Sequence, residues 1–75
     1  MNMSAIRHIR TDLFKVSQAA FAVIAGTNQS AVSRWENNSS EPDRDELARI
    51  RAEALRRGLA WDDRLFFEAP EQVAS

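Results

Sequence analysis

The sequence has no cysteine and a single histidine, His8. A disulfide or a thiolate metal site is therefore excluded, and one imidazole alone cannot form a zinc site or an acid–base pair. Glycine and proline occur only twice each, and no apolar run approaches the ~20 residues of a membrane-spanning helix. These absences predict one small domain without a metal or a cofactor, stabilised by one apolar core or by a partner chain.

Net charge is also nearly absent, but its distribution is uneven. The formal net charge of the whole chain is −1. Residues 1–40 contain four basic and two acidic side chains, a balance of +2, whereas residues 41–75 contain six arginines and nine acidic side chains, a balance of −3. The basic excess of the first half is small, so we expect weak non-specific binding to polyanions.

The apolar residues recur at helical spacing and do not alternate as they would in strands, which predicts an all-α fold. Ser17 is a typical N-cap, and Gly26 can adopt the left-handed backbone that ends a helix. The sequence therefore predicts four helices, which span Ser4 to Phe14, Gln18 to Ala25, about Gln29 to Asn37, and Pro42 to the residue before Gly58.

The second half of the chain combines apolar and charged positions. The apolar stripe of the fourth helix comprises Leu47, Ile50, Ala54 and Leu55. Acidic residues interleave with the arginines of this helix, which favours a solvated, ion-paired surface over a second basic site. Residues 59–67, LAWDDRLFF, form either a turn over the core or a short fifth helix begun by Asp62 or Asp63. Residues 69–75 are expected to be disordered.

Residues 16–38, VSQAAFAVIAGTNQSAVSRWENN, predict two short helices joined at the glycine. At about 100° per residue, Val32 and Trp35 lie on one side of the second of these helices, with Ala31 at the edge. This spacing assigns Trp35 to the core rather than to base stacking. The opposite side carries polar residues that no core needs, namely Gln29, Ser30, Ser33, Arg34 and Asn37.

These residues resemble the helix-turn-helix of the lambda-repressor and Cro-like family, also called the XRE family. The matching segments have the family's spacing and are Val16-Ser17-Gln18, Phe21-Ala22, Ala25-Gly26-Thr27, Val32-Ser33-Arg34-Trp35-Glu36 and Pro42. The resemblance covers about residues 4–58. It implies a compact, four- to five-helix, lambda-repressor-like domain over residues 1–68, with the helix-turn-helix at about residues 17–37.

The resemblance also implies which residues meet double-stranded DNA. Family positions for base contact are occupied by Asn28, Gln29, Ser30, Ser33 and Arg34. The amide of Gln29 can pair twice with adenine, and the guanidinium of Arg34 suits guanine O6 and N7. Phosphate contacts are expected at the start of the second helix and after the third, from Ser17, Gln18, Asn37, Asn38 and Ser39.

Two features depart from the family pattern. Many relatives pair Glu36 with an arginine at the position that is Thr11 here, so Arg10, Arg7, backbone or water is expected to take that role. Val23 and Ile24 occupy positions that are usually polar. Together with apolar residues near the end of the chain, they form a candidate dimer or partner interface, which comprises Val23, Ile24, Trp61, Leu65, Phe66 and Phe67.

The sequence thus predicts a small prokaryotic or phage transcriptional repressor of the cytoplasm, which reads an inverted repeat in DNA as a homodimer. The alternative is a protein-interaction module, such as the antitoxin of a toxin–antitoxin pair, for which DNA binding is secondary. An enzyme is not expected, because no nucleophile lies near a base and no glycine-rich phosphate loop is present. Nothing in the sequence indicates membrane association.

Overall fold

A computed structural model describes residues 5–66, and within that range every regular element is helical. The first helix, α1, begins as Ala5–His8 and continues in π-helical form over Ile9–Phe14. It is followed by α2 (Gln18–Ala25), α3 (Gln29–Glu36), α4 (Arg44–Arg56) and a 3-10 turn (Asp63–Phe66). The all-α prediction is confirmed. The expected start at Ser4, the interface residue Phe67 and the tail lie outside the described residues.

The π-helical stretch of α1 differs from the regular α-helix that the sequence predicted. The N–H groups of Lys15 and Val16 both donate to the carbonyl oxygen of Arg10, and Lys15 has a left-handed backbone with φ 58°. In an α-helix, residues five apart lie on different sides, whereas a wider turn brings them towards the same side. Ile9 and Phe14, which are 0% and 6% exposed, accordingly both face the core.

Side-chain caps begin both helices of the helix-turn-helix. Ser17 Oγ accepts a hydrogen bond of 3.1 Å from the N–H of Ala20 at the start of α2. Asn28 Oδ1 accepts one of 2.9 Å from the N–H of Ala31 at the start of α3. Both bonds satisfy N–H groups that would otherwise lack a partner inside the helix. These caps explain why the observed start residues of α2 and α3 agree with the sequence.

The turn between α2 and α3 requires the glycine. Gly26 has φ 77°, and the N–H of Thr27 donates back to Ala22 across the end of α2 at 2.9 Å. This is the Schellman arrangement, which places its left-handed residue at the first position after the helix. Arg49 of α4 covers the same turn, because its Nη1 donates to the carbonyl oxygen of Ala25 at 3.2 Å.

The fourth helix begins two residues later than predicted. Asp43 accepts a 2.8 Å hydrogen bond from the N–H of Glu46, and Glu46 Oε1 accepts one of 2.8 Å from the N–H of Asp43. This reciprocal capping box places the N-cap at Asp43, so α4 starts at Arg44 and Pro42 lies just before it. Leu55 is a further correction, because it is 52% exposed and does not join the buried stripe.

The core lies where α1, α2, α3 and α4 meet. Its buried residues are Ile6, Ile9, Phe14, Phe21, Ala22, Ala25, Ala31, Val32, Trp35, Ile50 and Ala54. Trp35 is 4% exposed, which confirms its predicted position in the core. The rings of Phe14 and Phe21 pack edge to face with centroids 5.6 Å apart, an arrangement that aromatic pairs favour.

The segment after α4 forms the turn over the core that the sequence allowed. Trp61, Leu65 and Phe66 are half-buried against the core, and the rings of Trp61 and Phe66 have centroids 4.9 Å apart. Asp62 Oδ1 accepts a hydrogen bond of 2.9 Å from the N–H of Arg64 and so starts the 3-10 turn. The fifth helical element is therefore a single short turn.

Candidate nucleic-acid interface

The polar side of α3 and its cap brings together the five residues expected to contact bases. Ala31, Val32 and Trp35 are buried on the opposite side, with exposed fractions of 6%, 0% and 4%. The burial of that side fixes the rotation of α3 about its axis. As a result the exposed positions comprise Asn28, Gln29, Ser30 and Arg34, and Ser33 is half-buried. The Oδ1 atom of Asn28 caps α3, so the side-chain amide nitrogen of Asn28 is the group that is available to contact a base.

The Arg34 side chain has neither a hydrogen bond nor an ion pair with any of residues 5–66. Lys15 and Arg44 share this property. By contrast, Arg56 and Arg57 both bind Glu53. The guanidinium of Arg34 therefore projects from the exposed side of α3 with all of its donors available to an acceptor from outside the described chain.

A partly buried ion pair joins the end of α3 to the first helix. Arg10 Nε donates to Glu36 Oε2 at 2.5 Å and Arg10 Nη2 donates to Glu36 Oε1 at 3.1 Å. The exposed fractions of the two side chains are 15% for Arg10 and 7% for Glu36. Arg10 Nη1 also donates to the carbonyl oxygen of Val16 at 3.0 Å. Among the partners expected for Glu36, the structure shows Arg10. The Thr11 hydroxyl donates a hydrogen bond to the carbonyl oxygen of Arg7.

Gln18 links this ion pair to the exposed side of α3. Its Nε2 donates to Glu36 Oε1 at 3.1 Å, and its Oε1 accepts from Gln29 Nε2 at 3.4 Å. Neither bond was predicted from the sequence. The phosphate contact predicted for Gln18 stays a prediction, and the structure places the Gln18 side-chain amide between Glu36 and Gln29. Ser17, the other predicted contact at this end of α2, is exposed and caps the helix.

The three residues expected to meet DNA backbone after α3 are all exposed. Asn37 is the C-cap of α3, and Asn38 has a left-handed backbone with φ 62°. The N–H of Ser39 donates back to the carbonyl oxygen of Arg34 at 2.8 Å, which holds this loop against the end of α3. Their side chains make no hydrogen bond within residues 5–66 and are available for an external acceptor or donor.

The candidate interface residues that lie within residues 5–66 differ in exposure. Val23 stands out from α2 with 80% of its surface exposed. Ile24 packs against the core, as do the three half-buried residues of the final turn, Trp61, Leu65 and Phe66. Leu55, which the sequence assigned to the apolar stripe of the fourth helix, is the second large hydrophobic residue that is exposed within the described chain. Its position five residues after buried Ile50 could have indicated this, because five residues turn an α-helix well past one side.

The arginines of α4 are largely paired, as the interleaved charges predicted. Glu53 Oε2 lies 2.5 Å from Arg56 Nη2 and 2.7 Å from Arg57 Nε. Hydrogen bonds from these two guanidinium groups lower the pKa of Glu53 to about 2. Arg51 Nε lies 3.1 Å from Asp63 Oδ1. The basic side chains of α4 therefore offer less free charge than their number suggests.

Metal-binding clusters and membrane-spanning helices are both absent from residues 5–66. No group of three or more acidic, histidine or cysteine side chains in this range is arranged to hold a metal ion. None of the helices in this part of the chain is long and apolar enough to cross a bilayer.

Comparison with known families identifies the arrangement. A family model described as "Helix-turn-helix" matches residues 6–61, which run from α1 to the residue two before the final turn. The searches of curated proteins and of solved structures found no significant match. The match covers most of the chain and contains the capped α2–turn–α3 unit with its buried Trp35. The chain therefore belongs to the XRE/lambda-repressor-like helix-turn-helix family and is a DNA-binding domain.

Proposed function

We propose that this protein is a sequence-specific transcriptional repressor of prokaryotic or phage type that inserts α3 into the major groove of double-stranded DNA. The major groove admits an α-helix, and each base pair presents a distinct pattern of donors, acceptors and methyl groups there. Gln29 and Ser30 lie at the start of α3, and Arg34 lies about one turn further on. Residues in these places reach base edges when a recognition helix enters the groove.

The single observation that carries the proposal is the guanidinium of Arg34, which none of residues 5–66 binds. A surface arginine that only adds solubility commonly pairs with a neighbouring acid, as Arg56 does with Glu53. Arg34 has no such partner within residues 5–66, and it lies about one helical turn after exposed Ser30 on α3. A planar fork with free donors is suited to guanine O6 and N7, the most frequent specific contact to a base.

The predicted phosphate contacts lie at either end of this unit. Asn37, Asn38 and Ser39 follow α3, and Ser17 begins α2 with the positive end of the helix dipole beside it. Contacts to phosphate fix the position of the protein on the duplex and carry no information about sequence. We therefore infer that these residues fix the position of the protein along the duplex, whereas α3 determines which bases are bound.

Two copies of the chain are needed for specific binding. A single DNA-binding module of this kind buries only about 600–1,000 Å² of protein surface. Two copies related by a two-fold axis would read an inverted repeat with half-sites about 34 Å apart. Val23, which is 80% exposed, is among residues 5–66 the apolar residue best placed to contact a second copy.

The exposure of Val23 and Leu55 also favours a second candidate function. Large hydrophobic side chains at 80% and 52% exposure are suited to a protein partner. An antitoxin that covers a toxin would use such a surface, with DNA binding as a secondary role. A toxin-sized reading frame next to the gene would favour this alternative over a free-standing repressor.

The proposed function is tested by selection of random duplex DNA with the purified protein at near-physiological salt. We expect an enriched inverted repeat. Arg34→Ala and Gln29→Ala should each cost about 1–3 kcal/mol of binding and each relax the preference at a single base pair. Arg56→Ala removes the same charge from α4 and serves as the matched control, which should leave the base preferences unchanged. Folded protein that enriches no sequence would contradict specific DNA recognition.

A further inference from the structure

Four side chains form a continuous hydrogen-bonded chain from the interior to the exposed side of α3. Arg10 donates twice to Glu36, Gln18 Nε2 donates to Glu36 Oε1, and Gln29 Nε2 donates to Gln18 Oε1. Only the last residue of this chain lies where a base could reach it. The other three run behind it through partly buried space, and 7% of the Glu36 side chain is exposed.

The chemistry of each group restricts the orientation of the next. An ionised carboxylate can only accept hydrogen bonds, so Gln18 must turn its amide nitrogen towards Glu36. This leaves Gln18 Oε1 on the other side, where it requires a donor. Gln29 must then present its own Nε2 to Gln18, because two carbonyl oxygens cannot bond to each other. The carboxylate of Glu36 thus determines which end of the Gln29 amide faces inward.

We propose that Glu36 is a positioning residue that fixes the donor–acceptor polarity of Gln29 through Gln18, and so sets a preference for adenine over guanine at one base pair. The proposal rests on the proposed function, since it requires Gln29 to meet a base. Glu36 itself touches no DNA. Through Gln18, its partly buried carboxylate determines which base Gln29 prefers.

The preference for adenine follows from the hydrogen-bonding groups of the Gln29 amide that are not bound to Gln18. Gln29 keeps its Oε1 and one hydrogen of Nε2, which together match the N6 donor and the N7 acceptor of adenine. Guanine presents two acceptors, O6 and N7, in the same places. It would pair well only with an amide that turns both of its hydrogens outward. Gln29 cannot do so while Nε2 is bound to Gln18.

The substitution Glu36→Gln should reverse the polarity of the whole chain of bonds. The new amide keeps an oxygen for Arg10 Nε and can turn its nitrogen towards Gln18, with loss of the bond from Arg10 Nη2, because Glu36 Oε1 accepts from both Arg10 Nη2 and Gln18. Gln18 then presents Oε1 to that nitrogen and Nε2 to Gln29, which turns its own oxygen inward and frees both hydrogens for guanine. We expect the ratio of the dissociation constants for guanine and adenine at this base pair to fall by about tenfold, with no change at the base pair that Arg34 reads.

A second substitution should restore the original preference. In the double variant Glu36→Gln/Gln18→Glu, the carboxylate lies at position 18, where it can only accept and again draws Nε2 of Gln29 inward. The net charge equals that of the wild type. The added charge near phosphate weakens binding to all sequences alike, but the adenine preference should return to within about threefold of the wild-type ratio. A residue with only a structural role would not show such a rescue.

The experiment measures binding of the purified chain to duplexes that carry adenine or guanine at the Gln29 base pair of the selected site. Circular dichroism at the binding temperature establishes that each variant is folded. Should a Glu36 variant fail to fold, Gln18→Met keeps the Arg10–Glu36 pair and interrupts the chain of bonds. This variant should also lose most of the adenine preference.

The outcomes separate the inference from the proposed function. If Gln29→Ala leaves the adenine preference unchanged, the proposed base contact is wrong, and the inference fails with it. If Gln29→Ala abolishes the preference while folded Glu36→Gln and Gln18→Met both retain it, recognition by Gln29 stands and the positioning role is overturned. An equal loss at the Gln29 and Arg34 base pairs would also overturn it, because that result indicates a general structural effect.

Discussion

Arg10 and Glu36 join the first helix to the last residue of α3 through two hydrogen bonds of 2.5 and 3.1 Å. Both side chains are largely withdrawn from solvent, at 15% and 7% exposed. A third bond from Arg10 to the carbonyl oxygen of Val16 ties the same guanidinium to the segment that leads into α2. One arginine thus fixes both helices of the helix-turn-helix relative to the amino-terminal helix.

Removal of one member of this pair should destabilise the domain more than removal of both. Glu36→Leu leaves the largely withdrawn Arg10 charge with only its bond to the carbonyl oxygen of Val16, and we expect a loss of about 3 kcal/mol in the free energy of unfolding. The double variant Arg10→Met/Glu36→Leu buries apolar side chains instead and should lose less. Urea denaturation of the two variants and the wild type measures the difference. A double variant less stable than Glu36→Leu would show that the isolated charge is not the main cost.

The sequence predicted the parts of the fold that depend on local chemistry. Ser17 and Asn28 have side chains that cap helices, and Gly26 takes a left-handed backbone without steric cost. These effects act within a few residues, so the bounds of α2 and the start of α3 agree with expectation. The burial of Trp35 was also predicted from nearby residues, because its spacing from Val32 places both on one side of a helix.

Features that depend on contacts between distant residues could not be predicted in the same way. The bond between Gln18 and Glu36 spans 18 positions, and it gives Gln18 a link inside the site in addition to the phosphate contact predicted for it. The π-helical stretch before Lys15 likewise reflects the packing of Ile9 and Phe14 against the core. Neither feature has a signal in the residues immediately around it.

Asn28 serves the fold as a cap and is also expected to contact a base. Asn28→Ala removes the bond to the N–H of Ala31, and we expect a loss of about 1 kcal/mol in unfolding free energy. Asn28→Ser retains a capping oxygen and should keep nearly full stability. Thermal unfolding of both variants tests the cap, and binding to the selected duplex tests the amide. Full DNA affinity for Asn28→Ser would contradict the base contact and leave Asn28 as a cap alone.

Gly26 should tolerate a side chain less well than Gly58, although both have a left-handed backbone, with φ 77° and 72°. A methyl group at Gly26 would lie 3.0 Å from Arg49 Nη1. A methyl group at Gly58 would have no atom of residues 5–66 within 4 Å other than those of its own chain neighbours. Gly58→Ala therefore measures backbone strain alone, about 1 kcal/mol. Gly26→Ala adds the displacement of Arg49 from its bond to Ala25 and should cost about 2 kcal/mol. Equal losses of unfolding free energy for the two variants in urea denaturation would show that the Arg49 side chain moves aside without a loss of stability.

Val23 offers the clearest test of self-association, because 80% of its surface is exposed and it contributes little to the core. Val23→Asp should leave the fold intact and weaken the dimer, since an aspartate carboxylate in an apolar contact loses its hydration without gaining a partner. Sedimentation over a range of concentrations measures the dissociation constant of the dimer. Leu55→Asp, on a different helix and 52% exposed, is the matched control and separates contact at Val23 from a general effect of added charge. Wild type and Val23→Asp with the same mass at every concentration would place the contact between copies elsewhere, whereas weakening by Val23→Asp alone would assign that contact to α2.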